Sequence, residues 1–354
     1  MKKPALAAIL ILFLVPSIAI AGGLEEQIGT MPTQKDYPAA DQIVLEQSEH
    51  IKLNYAGLIT RRVRTVRRVF TDLAIRRYSD PRILYNSVSE ELKIIEARTL
   101  GADGQIFDLP PYAFNISKAD GTAAGGTATD LREMVVTFTG VDKDAVLVLE
   151  YEIRSKRKQD LDVRRFFGGH HPVLKQTLEI EVPERLSFHR AISQNNPIVV
   201  EREEHFKQAT ATYRYSASNI HPGLADDELG RPFVVASSYK NWDAVVATLD
   251  NSSRPSSKCD LASKVASFSK KNEWFNLLLT YQSTMTRIGV PHSVGAPPSG
   301  PCATFEAGFA TDIELGLAHL LLLPEGRSSL VLSSGKRALV NSVPGLSQFT
   351  SVHS

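Results

Sequence analysis

From about Asp41 to Val235 the chain alternates apolar and polar residues in short runs, the period of a β-strand with one buried face. The clearest run covers Leu174–Val182, where apolar residues alternate with lysine, threonine and glutamate. Turn signals separate the runs, among them Asn54-Tyr-Ala-Gly57 and Asp103-Gly104. So many strands with one polar face predict an antiparallel β-sandwich.

Near Tyr239 the pattern changes from strands to helices. Asn241 is a residue type that caps helix N-termini, and it precedes a helical pattern. Further on, Thr311 and Glu314 form a capping box at the start of a strongly apolar helix within residues 308–323. The sequence therefore predicts an α+β chain that is mostly β, with the sandwich followed by a small α+β domain.

The N-terminus has the features of an export signal. A basic start, Met1–Lys3, precedes an apolar run, Ala5–Ile20, and the residues 19–21 (Ala-Ile-Ala) match a cleavage site. The run is short for a membrane span, although a retained anchor is the alternative. We expect residues 1–21 to be a signal peptide, the protein to be periplasmic or secreted, and membrane association to be limited to this signal.

Charge and cysteine content exclude some classes of partner. Loss of Lys2 and Lys3 leaves 38 basic against 39 acidic residues, so net charge favours no polyanionic ligand. Export and the scarcity of aromatic residues among the basic ones both exclude a nucleic-acid partner. The two cysteines, Cys259 and Cys302, can form one disulfide in an oxidising compartment or remain free.

Five arginines lie on one predicted strand. Arginine forks suit carboxylates, phosphates and acidic glycans, so the strand is a candidate anion-binding site. The alternative, which we favour from the sequence, is an edge strand that its charge protects from aggregation. The five residues are Arg61, Arg62, Arg64, Arg67 and Arg68.

A series of segments in the first two thirds of the chain resembles a known family. The order of these segments over residues 37–240 is similar to that of the DUF3857 domain, which has no assigned function. In exported bacterial proteins that domain is commonly followed by a transglutaminase-like domain. The segments are Tyr37–Asp41, Asn54–Gly57, Ile95–Gly104, Phe138–Val141 and Leu147–Ile153.

The segment from Gly308 onward resembles the nucleophile helix of transglutaminase-like, papain-type enzymes, although it also fits an ordinary capped core helix. On that pattern the thiol position falls on Asp312, and the histidine position of a Phe-Asn-His-Val motif falls on Ser351. The third member of the triad falls beyond Ser354. The resemblance therefore implies that residues 241–354 are a truncated, degenerate transglutaminase-like domain without its catalytic triad.

The sequence thus predicts an exported non-catalytic binding or scaffold protein, whose partner is an unknown peptide, cell-wall glycan or protein. The alternative is a thiol hydrolase or acyltransferase that uses Cys302 with a histidine. The pair His170-His171 lacks further ligands at metal spacing, so we interpret it as two ordinary histidines. We expect no metal and no cofactor.

Overall fold

The computed structural model describes residues 24–118, 131–193, 197–223, 230–253, 288–289, 309–310, 331–333, 340–349 and 351–353. The chain divides into two compact units, Met1–Met31 and Pro32–Ser354. In the first unit, helix α1 (Leu24–Gln27) leads into a 3-10 turn, Ile28–Thr30. The second unit holds every strand that the structure describes. The predicted signal peptide lies outside the described residues.

The strands of the second unit begin where the alternating pattern begins. They are β1 (Gln42–Leu53), β2 (Ile59–Val69), β3 (Arg82–Asn86), β4 (Glu90–Leu100), β5 (Ile106–Asp108), β6 (Phe114–Lys118), β7 (Leu131–Val136), β8 (Val146–Ser155), β9 (Asp162–Phe166), β10 (Val173–Pro183), β11 (His189–Ile192), β12 (Val199–His205), β13 (Thr210–Ile220), β14 (Phe233–Ser237), β15 (Ile288–Gly289), β16 (Phe309–Ala310), β17 (Val331–Ser333) and β18 (Ser351–His353). The helices are α2 (Asp72–Tyr78) and α3 (Trp242–Ser253), with 3-10 turns at Pro111–Ala113 and Leu346–Gln348.

One large sheet dominates the fold, with strand order β12-β13-β10-β1-β2-β8-β4-β5. Its pairs are antiparallel except that β1 lies parallel to β10. Two three-stranded sheets, β11-β14-β9 and β3-β7-β6, form the second layer. The mostly β, α+β class predicted from the sequence is confirmed, and one parallel pair lies within the otherwise antiparallel large sheet.

Two turns form as their sequences predict. Asn54 Oδ1 accepts the N–H groups of Ala56 and Leu58, each at 2.9 Å, and Gly57 takes a φ of 77°. Gly104 takes a φ of 85° in the turn between β4 and β5. Glycine adopts these left-handed values without a steric penalty, which explains its place in both turns.

The edge position expected for the arginine-rich strand is wrong. Strand β2 lies inside the large sheet, between β1 and β8. Carboxylates on neighbouring strands neutralise most of its arginines, so their charges do not require exposure to solvent at a sheet edge.

The short helix α2 was not predicted from the sequence. Thr71 caps it by accepting the N–H of Ala74 at 3.2 Å.

Two apolar cores lie on the same face of the large sheet, which we call the inner face. Residues directly opposite one another in paired strands share a face, so the register fixes these assignments. The first core lies under β9 and β14 and contains Ile51, Leu53, Val163, Leu178, Ile180, Tyr215, Val234 and Ala236. The second lies under α2, β3 and β7 and contains Val69, Ala74, Ile83, Tyr85, Val136, Leu147, Leu149 and Ile153.

The segment 340–349 packs against β9 and α3. The buried Asp162 accepts the N–H groups of Leu346 at 2.5 Å and Ser347 at 3.0 Å. Gln348 is fully buried and bonds to the backbone of Val340. Trp242 donates its indole N–H to the carbonyl of Asn341 at 2.9 Å. Asn241 caps α3, as predicted, by accepting the N–H of Ala244 at 3.0 Å.

The domain boundary predicted between residues 240 and 241 stays a prediction. Among the described residues, no helix is long and apolar enough to cross a membrane.

Candidate anion-binding site

Polar side chains separate the two apolar cores along the middle of β1 and β2. We call this set the polar seam, and its members all lie on the inner face by register. Gln47 is exposed, and the other four are half-buried. Because β-strands pack best with apolar residues on a covered face, a polar stretch there interrupts the apolar core. The members of the polar seam are Gln47, Glu49, Arg61, Thr65 and Arg67.

At one end of the polar seam, Glu49 joins the two layers of the fold. Arg61 Nε donates to Glu49 Oε1 at 2.5 Å, and Arg165 from β9 donates through Nε at 2.6 Å and Nη2 at 2.8 Å. Burial works against the charged form of Glu49, but Arg165 and Arg61 outweigh it and lower the pKa of this carboxyl to about 2. This end of the seam is therefore a satisfied ion-pair bridge.

Arg62 and Arg64 lie on the opposite, outer face of the large sheet. Arg62 Nε pairs with Glu150, and Arg64 pairs with both Glu96 and Glu150, the latter at 3.0 Å. Burial works against the charge of Arg64, yet these bonds leave the pKa of Arg64 above its ordinary value. Both arginines are thus neutralised by carboxylates on β4 and β8.

Arg68 is also committed to contacts within the protein. It is buried, and its Nε lies 3.5 Å from a carboxylate oxygen of Asp144 and donates to the Asp144 carbonyl at 3.0 Å. Its Nη1 donates to the carbonyl of Pro32 at 3.3 Å. These bonds place Arg68 in a structural role at the end of β2.

Arg67 has different neighbours because of the strand register. Its cross-strand partners are Val44 on β1 and Leu147 on β8, whereas Arg64 lies opposite Glu150. The Arg67 guanidinium lies over the ring of Tyr78, 4.8 Å from the centroid. Burial lowers the pKa of Arg67, and the Tyr78 phenol opposes this effect. Among the described residues, Arg67 alone of the five arginines has no carboxylate within ion-pair distance.

His171 meets Tyr78 at the same place. Tyr78 Oη and His171 Nε2 are 2.8 Å apart and share a hydrogen bond. Burial lowers the pKa of His171, an effect that Asp41 opposes and that His170, Arg77 and Arg67 reinforce. The imidazole is therefore mostly neutral at pH 7 and gains its proton only in more acidic solution.

The loop that carries His171 is held by Gln176 of β10. The Gln176 side chain accepts the N–H of Gly168 at 2.8 Å and donates to the carbonyl of Phe166 at 3.0 Å. Gly168 takes a φ of 77°, a value that favours glycine. Gly168 thus forms the turn that precedes His171, which contacts Tyr78 of α2.

Most other predicted site residues lie outside the described part of the chain. These are Cys259, Cys302 and Asp312, so the predicted disulfide, the alternative nucleophile and the degenerate thiol position stay predictions. The backbone of Ser351 lies in β18, opposite Ser333 of β17. Within the described ranges, no group of three or more His, Cys, Asp or Glu residues could hold a metal ion.

Sequence reasoning singled out Arg67 only as one of five and did not find Tyr78. The register of β1, β2 and β8 determines which arginines face glutamates, and the sequence does not show that register. The His170-His171 pair was noted, but nothing in the sequence connected it with β2, about a hundred residues earlier.

A comparison with known families finds a match within the strand-rich part of the chain. Residues 56–223 match the DUF3857 family model. That family is described as a Domain of Unknown Function with solved-structure structure. The DUF3857 match begins inside the turn before β2 and ends after β13, so it includes Arg67, Tyr78 and His171 but not β1. It confirms the DUF3857 part of the resemblance over just under half of the chain. The transglutaminase-like part stays a prediction.

Among solved structures, the chain is similar to a protein of Parabacteroides distasonis that is described as a "putative protease". The TM-score is 0.73 at 22% sequence identity, with 88% of this chain and 64% of that chain covered. This likeness shows the fold, and the chain spans less than two thirds of that protein's length. An M1 zinc metallopeptidase of Deinococcus radiodurans matches with a TM-score of 0.27 at 10% identity, over 55% of this chain and 42% of that one, which is too weak to inform the fold. No curated protein matches this chain.

Proposed function

We propose that this protein is an exported, non-catalytic binding or scaffold protein that holds a peptide, cell-wall fragment or partner protein in the polar seam. The observation that carries this proposal is Gln47, an exposed side chain on the covered face of the large sheet. Half-buried Thr65 and Arg67 lie beside it on β2. A polar stretch between two apolar cores offers a ligand hydrogen-bonding groups with apolar residues on either side.

The absence of catalysis is supported by the residues at the suspected triad positions. Asp312 stands where the transglutaminase-like pattern has its thiol, and Ser351 stands where it has its histidine. A carboxylate lacks the nucleophilicity of sulfur, and a serine hydroxyl cannot act as the base that activates a thiol. Restoring a thiol with Asp312→Cys should therefore give no amide hydrolysis, because the base is still missing.

The binding function is tested with a library of fluorescein-labelled hexapeptides, measured by fluorescence anisotropy. We expect a subset to bind the wild type and to be recovered intact by mass spectrometry. Gln47→Trp, which fills the seam, should reduce their affinity at least tenfold. Ser48→Trp is the matched control, since Ser48 follows on the same strand and lies on the outer face. Equal binding by both variants, or no binding by the wild type, contradicts the proposal.

A second candidate function is hydrolysis of peptides by Cys302. The fold likeness to a protein described as a protease favours it. A catalytic cysteine has a lowered pKa and reacts with iodoacetamide in mildly acidic solution, whereas an ordinary or disulfide-bonded cysteine does not. Rapid labelling of Cys302 at pH 6, together with cleavage of library peptides, would replace the first proposal with this one.

A further inference from the structure

The five arginines of β2 differ in what neutralises their charge. Arg61, Arg62, Arg64 and Arg68 each have a carboxylate within ion-pair distance. In the part of the chain that the structure describes, Arg67 has none, and its guanidinium lies over the ring of Tyr78. A charged group in a half-buried place is costly unless a partner compensates it. The partner that Arg67 lacks among the described residues is an anion.

The groups around Tyr78 are also suited to an anion. Arg77 places a second guanidinium 5.7 Å from the centre of the same ring. Tyr78 Oη and His171 Nε2 form a hydrogen-bonded pair, and protonation of the imidazole adds another cation. Asp41 is an acidic side chain near this group. It accepts a hydrogen bond from the Thr71 hydroxyl at 2.9 Å, and its charge acts on His171.

The contact between Arg67 and Tyr78 leaves donors for a ligand. The Arg67 guanidinium carbon lies over the Tyr78 ring, and a cation–π contact of this kind does not use up the five N–H donors of a guanidinium. Two parallel N–H donors match the two oxygens of a carboxylate or a phosphoryl group. A preformed ring contact also reduces the conformational entropy that Arg67 loses when an anion binds.

We propose that Arg67, supported by Tyr78 and His171, is the anchor for an oxyanion of the ligand, either a carboxylate or a phosphoryl group. This inference rests on the proposed binding function of the polar seam, because Arg67 is the member of the seam next to Tyr78. The neutral members Gln47 and Thr65 then contact the rest of the ligand. The other four arginines of β2 hold the sheet together and do not contact the ligand.

The test uses three labelled forms of one hexapeptide that binds the wild type. One form has a free C-terminal carboxylate, the second a C-terminal amide, and the third an amide with one phosphoserine. We expect the wild type to bind one or both anionic forms at least tenfold more tightly than the neutral amide. The preferred form identifies the source of the oxyanion. Arg67→Gln should abolish this preference, so that the anionic forms bind no more tightly than the neutral amide.

Two further variants keep the test independent of folding defects. Arg62→Gln removes an arginine of the same strand from the outer face and should keep the full preference. Arg67→Lys keeps the charge but loses the paired donors, so the preference should fall to a few-fold. Circular dichroism melting shows which variants are folded. A preference that survives in folded Arg67→Gln, or that is lost equally in Arg62→Gln, overturns the proposal.

The outcomes separate this inference from the proposed function. If all three peptides bind equally and Gln47→Trp blocks them, the seam binds ligands but the oxyanion anchor is refuted. If no peptide binds, the proposed function fails. Thermal melting in sodium sulfate at constant ionic strength then tests the oxyanion anchor by itself. Thermal stabilisation of the wild type that is lost in Arg67→Gln supports the anchor, and equal stabilisation of both proteins refutes it.

Discussion

Replacing Glu49 with glutamine removes the carboxylate that connects the two layers of the fold. Three charged bonds of 2.5 to 2.8 Å join it to Arg61 and Arg165, and its side chain is 12% exposed. Glutamine has nearly the same shape but no charge. The substitution therefore leaves two half-buried guanidinium groups facing each other without the carboxylate that bonds both, although Glu90 still acts on Arg61 by its charge. Removing one partner of a buried ion pair is strongly destabilising.

The size of the effect follows from the pKa of the carboxyl group. Its ordinary value of 4.5 is lowered to about 2 in the folded protein. At 1.36 kcal/mol for each pKa unit, the folded state gains about 3 kcal/mol from ionised Glu49. Because the folded pKa lies below the ordinary value, this gain is fully present above about pH 4.5 and is lost as pH falls toward 2. The Glu49→Gln variant should lack both the gain and its pH dependence.

Urea unfolding of the wild type and the variant, followed by far-ultraviolet circular dichroism between pH 2.5 and 7, measures this difference. The control is Glu201→Gln, whose side chain is 61% exposed and lies 3.4 Å from Arg214. An exposed pair of this kind stabilises by less than about 1 kcal/mol. If Glu49→Gln costs no more than the control at pH 7, or if its effect does not shrink below pH 4, the ion-pair bridge is not what joins the layers.

Two more results are expected from the buried ionisable groups. Burial raises the pKa of the Asp162 carboxyl to about 6. Protonation of this carboxyl therefore stabilises the fold fully below its ordinary pKa of 3.8, and the stabilisation is lost as pH rises through about 6. Relative to Asp162→Asn, the wild type should gain up to about 3 kcal/mol between pH 7 and pH 4 in urea unfolding, and a flat difference would contradict this. Because the pKa of His171 is lowered from its ordinary 6.5, its protonation, and with it oxyanion affinity at Arg67, should rise only as pH falls below about 6.5. His171→Gln should remove this rise and His170→Gln should keep it, as measured by anisotropy; the opposite pattern would exclude His171 from the anchor.

Local features of the fold could be predicted because neighbouring residues determine them. The alternation in Leu174–Val182 gave β10, the Asn54 side chain set the turn before β2, and Asn241 capped α3. Each of these depends on contacts within a few residues, which a sequence shows directly.

The position of β2 and the choice among its arginines could not be predicted. They depend on pairing between strands that are far apart in the sequence, such as the parallel pair of β1 with β10. A one-residue change of register would exchange the faces of Arg64 and Arg67 and with them the paired and the unpaired guanidinium. The amino-acid sequence alone shows only that five arginines are close together in the chain. The register determines which one has an apolar neighbour on each side.

The place of β1 in the large sheet bears on how this protein is divided for laboratory work. Strand β1 lies between β10 and β2 and hydrogen-bonds to both, yet it precedes the residues matched by the family model. A recombinant fragment cut at residues 56–223 would contain β10 and β2 with no strand between them. Two unsatisfied edges would then meet solvent in the middle of the sheet, and such edges promote aggregation. Fragments should therefore start before Gln42.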